Sequence, residues 1–192
     1  MDFYSLGFFA FALIVLIAYY ATPGRFRWMI LLAASCYFYA TFKLACLGIL
    51  ALCAMIAYLA ALGMERFCEA RTRKSILIFA LVAQTGVLMI FKYFDFLNIS
   101  LGQILGAGAI PYSPVILNLA VPVGISFYIF QNISYLVDVY RGDETAEKHP
   151  GHFAVYLMFF PKLLSGPIER AGSFLPQLRV QNGFDAENVT NG

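Results

Sequence analysis

The chain has 192 residues, 61% of them hydrophobic and only 12% charged, with a net charge of +2 from 13 Lys plus Arg against 11 Asp plus Glu. A mean hydropathy of +0.75 lies far above the soluble range and marks an integral membrane protein. So small a charge gives nucleic acid no footing as a partner.

A spanning helix needs about 20 apolar residues. Candidates lie at residues 3–20, 28–42, 44–62, 76–91 and 115–137. The runs are continuously apolar rather than alternating, which excludes membrane strands and predicts an all-α, multi-span fold. The first run lacks the basic flank and the cleavage site of a secretory signal, so it reads as a retained helix. Lys43 alone separates the second run from the third, which predicts a tight hairpin, and residues 65–75 read as a polar loop. Residues 93–112, with Gly102, Gly106 and Gly108, read as an extracytoplasmic extension and an interfacial segment.

Basic residues in short loops favour the cytoplasmic side. With the N-terminus outside, Arg25, Arg27, Arg66, Arg71, Arg73, Lys74, Arg141 and Lys148 fall inside, against Lys43 and Lys92 outside. Cys36, Cys46, Cys53 and Cys68 lack the paired spacing of a zinc site and read as small apolar packing residues, so no metal is expected.

The fifth run carries the chemistry. Gly124, Gln131 and Asp138 are spaced by seven and Asn132, Ser134 and Tyr135 lie beside them, which gives the helix one polar stripe. Interhelical hydrogen bonding explains Gln131 and Asn132 as well as a tunnel lining does, and Asp138 reads as a helix-end partner of Arg141. The next apolar run, 153–164, has 12 residues and rises only about 18 Å, too short for a core about 30 Å thick. Pro161 interrupts it and Lys162 charges it, so it is a re-entrant or an interfacial element leading into Ser165-Gly166-Pro167-Ile168-Glu169-Arg170. Irregular backbone at membrane depth is tolerated where protein encloses it or water reaches it.

The segment 121–131, Val-Pro-Val-Gly-Ile-Ser-Phe-Tyr-Ile-Phe-Gln, continuing through 134–142, resembles the membrane-bound O-acyltransferase family in its bacterial alginate O-acetylase branch, with the related teichoic acid D-alanylation proteins. Phe159-Phe160-Pro161-Lys162-Leu163-Leu164-Ser165-Gly166-Pro167-Ile168-Glu169-Arg170 resembles the family's next signature. The resemblance implies a helical ring in the bacterial inner membrane, here incomplete, the N-terminal portion of the fold forming one membrane domain over 1–192. It implies acyl transfer, acetyl foremost, from a cytoplasmic thioester substrate (acetyl-CoA or a carrier-protein thioester, with no bound cofactor) to hydroxyls of an extracytoplasmic polysaccharide. Membrane lipid, a soluble acyl carrier and periplasmic polymer-modifying proteins are the partners it implies.

The family's catalytic histidine stands in a Trp-His-Gly context that neither His149 nor His152 has, so the chain alone is expected to be inactive and no catalytic residue is assigned. Support roles fall to Gln131, Asn132, Ser134 and Asp138 along the stripe, to Gly166 and Pro167 at the constriction, and to Lys162 and Arg170 as attractors of an anionic donor. A transporter subunit or a noncatalytic scaffold for polymer export would show the same broken helices.

Overall fold

The computed structural model describes residues 6–41, 44–107, 121, 122, 124–162 and 169–179, and the regular elements among them are all helical. Helices α1 (Leu6–Ala21), α2 (Arg27–Ala40), α3 (Leu44–Arg66) and α4 (Ala70–Leu88) follow the first four apolar runs. α3, with 23 residues, and the helix from Ala70 to Leu101 are long and apolar enough to cross a membrane, while α1 is an apolar helix of 16 residues.

Three boundaries differ from the expectation. The connector 65–75 shrinks to 67–69, because Arg71, Arg73 and Lys74 are good helix formers and extend the first turns of α4. Residues 93–107 are not a separate segment: a π turn (Met89–Tyr93) carries α4 directly into α5 (Phe94–Ala107), and 108–112 lie outside the described residues. Residues 115–120 and 123 of the fifth run lie outside the described residues; among the described ones, helix begins at α6 (Ile125–Arg141), with Pro122 unable to continue a helix ladder and Gly124 in a left-handed φ of 74° at the N-cap. Gly124 therefore precedes the polar stripe rather than belonging to it. Lys43 lies outside the described residues.

α3, α4 and α6 form the core. The buried stripe of α3 is Cys46, Leu50, Cys53, Ala54, Ala57, Ala61 and Met64, and its small residues let the neighbouring backbones approach closely. Cys46 and Cys53 thus act as packing residues; Cys36 is half-buried and Cys68 exposed.

Two short helices complete the described fold. α7 (Pro150–Met158) is nine residues long and rises about 14 Å. Pro150 at its first position suits a helix start, and it ends at an extended Phe159, two residues before Pro161. It packs against α2, α3, α6 and α8 (Ala171–Arg179) and buries Phe153, Val155, Tyr156, Leu157 and Met158. A short helix buried on so many sides is part of the bundle rather than a strap lying across it. Phe160 continues the contact, pointing into Phe8, Phe11 and Phe38, while its backbone N–H donates to Ser35 Oγ at 3.2 Å.

Candidate functional site

α7 and α8 are joined by a segment whose ends meet. Lys162, just past α7, forms an ion pair with Glu169, just before α8. The Lys162 ammonium also stands 3.5 Å from the centroid of the Phe174 ring, a cation–π contact that strengthens as water is excluded. The Tyr156 hydroxyl donates to the Glu169 carbonyl at 3.2 Å, and Ser173 Oγ donates back to the Arg170 carbonyl at 2.9 Å in the first turn of α8. The pair faces a cavity of about 530 Å³ whose other walls are α1 (Val15, Leu16, Tyr19, Tyr20) and Phe160. The result is an apolar cleft with a single ion pair at one end.

The opposite end of the α7–α8 hairpin carries a second polar group. Glu147, 3% exposed, accepts from Arg179 at 2.5 Å and from the His149 N–H at 2.9 Å. Its own N–H donates to the Tyr135 hydroxyl at 2.9 Å. His149 Nδ1 accepts from the His152 N–H at 3.2 Å, so the ring caps α7. The two imidazoles stack at 4.2 Å, with Trp28 edge-on to His149 at 4.9 Å. Burial lowers the His152 pKa, and the neighbouring His149 lowers it further. Glu147, His149, His152 and Arg179, with Glu65 and Lys148, line a cavity of about 600 Å³.

Between the two ends, the stripe of α6 meets α3 and α7. Gln131 Nε2 donates to the Tyr156 carbonyl at 2.9 Å and Asn132 Nδ2 to the Cys53 carbonyl at 3.4 Å. Both amides therefore hold helices together. Ser134 and Asp138 are half-buried. Asp138 does not pair with Arg141: the ion pairs among the described residues are Lys162–Glu169 and Arg179–Glu147. α6 ends at Gly142, φ 83°, and the Asp138 backbone carbonyl receives the N–H groups of Asp143 and Glu144 at 3.0 and 3.3 Å. The cation that serves this terminus is Arg73 of α4, which donates to the Tyr140 carbonyl at 2.9 Å.

Of the residues singled out from sequence, the structure brings Gln131 against α7 and sets Lys162 opposite Glu169. Arg170 is exposed and meets α8 through its carbonyl; Gly166 and Pro167 lie outside the described residues. Sequence reasoning missed the Glu147–Arg179 pair, whose members are 32 positions apart in polar segments with no pattern to connect them. It also missed Gln84, a lone amide in an apolar helix and a legible signal.

No family model and no solved structure matches the chain. It is 35% identical over 171 residues, 88% of its length, to the Azotobacter vinelandii protein named "Probable alginate O-acetylase AlgI" and, over the same length, to its namesake from Pseudomonas aeruginosa. It is 28% identical over 187 residues, 85% of its length, to the peptidoglycan O-acetyltransferase of Helicobacter pylori. It spans about a third of the length of each: 34%, 32% and 34%. These relatives, together with the two signatures flanking α7, support a resemblance of this chain to the membrane-bound O-acyltransferase family.

Proposed function

We propose that this chain forms the N-terminal part of a multi-pass inner-membrane O-acyltransferase that moves an acetyl group from a cytoplasmic thioester to hydroxyls of an extracytoplasmic polysaccharide such as alginate. The observation that carries this reading is the 35% identity to alginate O-acetylases over 88% of the chain. The geometry supports it. Arg27, stacked on Tyr19 and Tyr20 at 5.0 and 5.6 Å, makes a basic and aromatic collar of the kind found at a membrane interface. With that collar inside, α7 enters from the cytoplasmic face beside Trp28 and climbs about 14 Å, which sets Lys162 near mid-membrane at the end of an apolar cleft.

In this reading the α7–α8 hairpin is re-entrant and forms part of the wall along which donor and acceptor meet. Lys162, held by Glu169 and by the face of Phe174, is a fixed positive charge that favours the oxyanion formed when a hydroxyl attacks a thioester carbonyl. Proton abstraction is not assigned to His149, whose Nδ1 is committed to capping α7. The test is complementation: a strain lacking its alginate O-acetylase receives the complete gene, unaltered or with Lys162→Met, and acetyl ester on secreted polymer is measured. Loss of more than nine-tenths of the ester with normal membrane abundance supports the reading; full acetylation by the variant removes Lys162 from it.

A further inference from the structure

Three buried side chains in the α3–α4–α6 core present polar atoms that have no hydrogen-bond partner among the described residues: Gln84 Oε1, Asn132 Oδ1 and the Tyr128 hydroxyl. Gln84 and Asn132 are 0% exposed and Tyr128 is 1% exposed. Buried polar groups are almost always satisfied, and lipid around the bundle offers them no alternative partner. Three such groups in one core therefore require an explanation.

Their placement is constrained. Gln84 Nε2 and Asn132 Nδ2 donate to the same acceptor, the Cys53 carbonyl, at 2.8 and 3.4 Å. Flipping either amide would set oxygen against oxygen, so the orientation of both is fixed. An amide oxygen lies about 2.3 Å from its own nitrogen, which keeps both unpartnered oxygens within about 6 Å of the Cys53 carbonyl. Tyr128 stands one turn before Asn132 on the same face of α6, and its hydroxyl is an electrostatic neighbour of Cys53.

We propose that α3, α4 and α6 enclose a binding site for one water molecule. The water donates its two protons to Gln84 Oε1 and Asn132 Oδ1 and accepts the Tyr128 O–H, which makes the three bonds a buried water ordinarily forms. The requirement of two donors and one acceptor matches water and not a cation, which could not receive the tyrosine proton. The site is also neutral: among the described residues, no Asp, Glu, Lys or Arg side chain on these three helices is buried. Occupied, it ties the polar stripe of α6 to α4 through a ligand that can exchange, and it is independent of the acyltransferase reading.

The experiment uses the protein in lipid nanodiscs. Tyr128→Phe removes only the hydroxyl; a bridged hydroxyl predicts a lower melting temperature, and a lower one still that is non-additive when combined with Gln84→Met. An unchanged or raised melting temperature for Tyr128→Phe, as expected on deleting a truly unpartnered group, overturns the proposal. A melting temperature that shifts when sodium chloride is replaced by choline chloride points to a bound cation and overturns it as well. Should the variants fail to fold, water-edited solid-state NMR on the unaltered protein decides: transfer from water to the Gln84 side-chain amide supports the site, and its absence refutes it.

Discussion

The indole of Trp28 occupies the space that a Cβ on Gly151 would need: its ring carbons lie 2.2, 2.5 and 2.8 Å from that position. This contact seats the first turn of α7 on the first turn of α2, with His149 and His152 edge-on to the same ring. Further along the same helix pair, Ser35 receives the Phe160 N–H. α2 and α7 thus run side by side from one fixed end.

Gly151→Ala is expected to force a rigid ring and a backbone apart, at an overpacking cost of about 1–3 kcal/mol. Gly48→Ala is the control, because nothing lies within 4 Å of a Cβ there and a helical alanine is favoured by up to about 1 kcal/mol. Thermal unfolding of the two variants in the same nanodiscs should move in opposite directions.

The Glu147–Arg179 pair is asymmetric, with side-chain exposures of 4% and 53%. Arg179→Ala strands a buried carboxylate and should cost about 2–4 kcal/mol, whereas Glu147→Gln leaves a half-solvated guanidinium and a neutral acceptor and should cost about 1 kcal/mol. Denaturant titration that ranks them the other way would show that Glu147 is hydrated through its cavity.

Lys162 and Glu169 bracket the segment between α7 and α8, so their effects should be coupled. Each alanine variant of the complete enzyme should lower polymer acetylation at least tenfold, and the double variant should be little worse than either single one. Independent, multiplicative losses would separate the two residues functionally.

Stability should also fall with acid. The His152 imidazole has its pKa lowered by burial and then by His149, with Arg179 adding a little and Glu147 opposing. An unfolded histidine titrates near about 6.5; below that pH the unfolded chain binds a proton that the folded one resists, so stability is lost from about 6.5 down to the folded value. Melting temperatures between pH 8 and 5 should show this decline, and His152→Gln should flatten it.

Several of these features can be read along the chain and others cannot. Pro161 and Lys162 announce that 153–164 does not continue as a spanning helix, and α7 stops accordingly. The N-terminus of α6 is not legible along the chain, because a run of apolar residues says nothing about where a helix begins; the left-handed Gly124 at the N-cap marks it. Asp138 and Arg141 sit on one helix at a spacing that invites an ion pair, yet the end of α6 is served instead by Arg73, 66 and 67 positions away in sequence from the carbonyls it reaches.

The sequence by itself determined the all-helical class, the family resemblance, and the break at Pro161, because hydrophobic period, helix-breaking residues and signature motifs are local properties of the chain. Only the tertiary structure decided which polar groups meet: Lys162 with Glu169, Glu147 with Arg179, and Gln84 and Asn132 on one carbonyl. Those pairings depend on how the helices are rotated and how deep each one sits in the bundle, and close packing of the whole set fixes both.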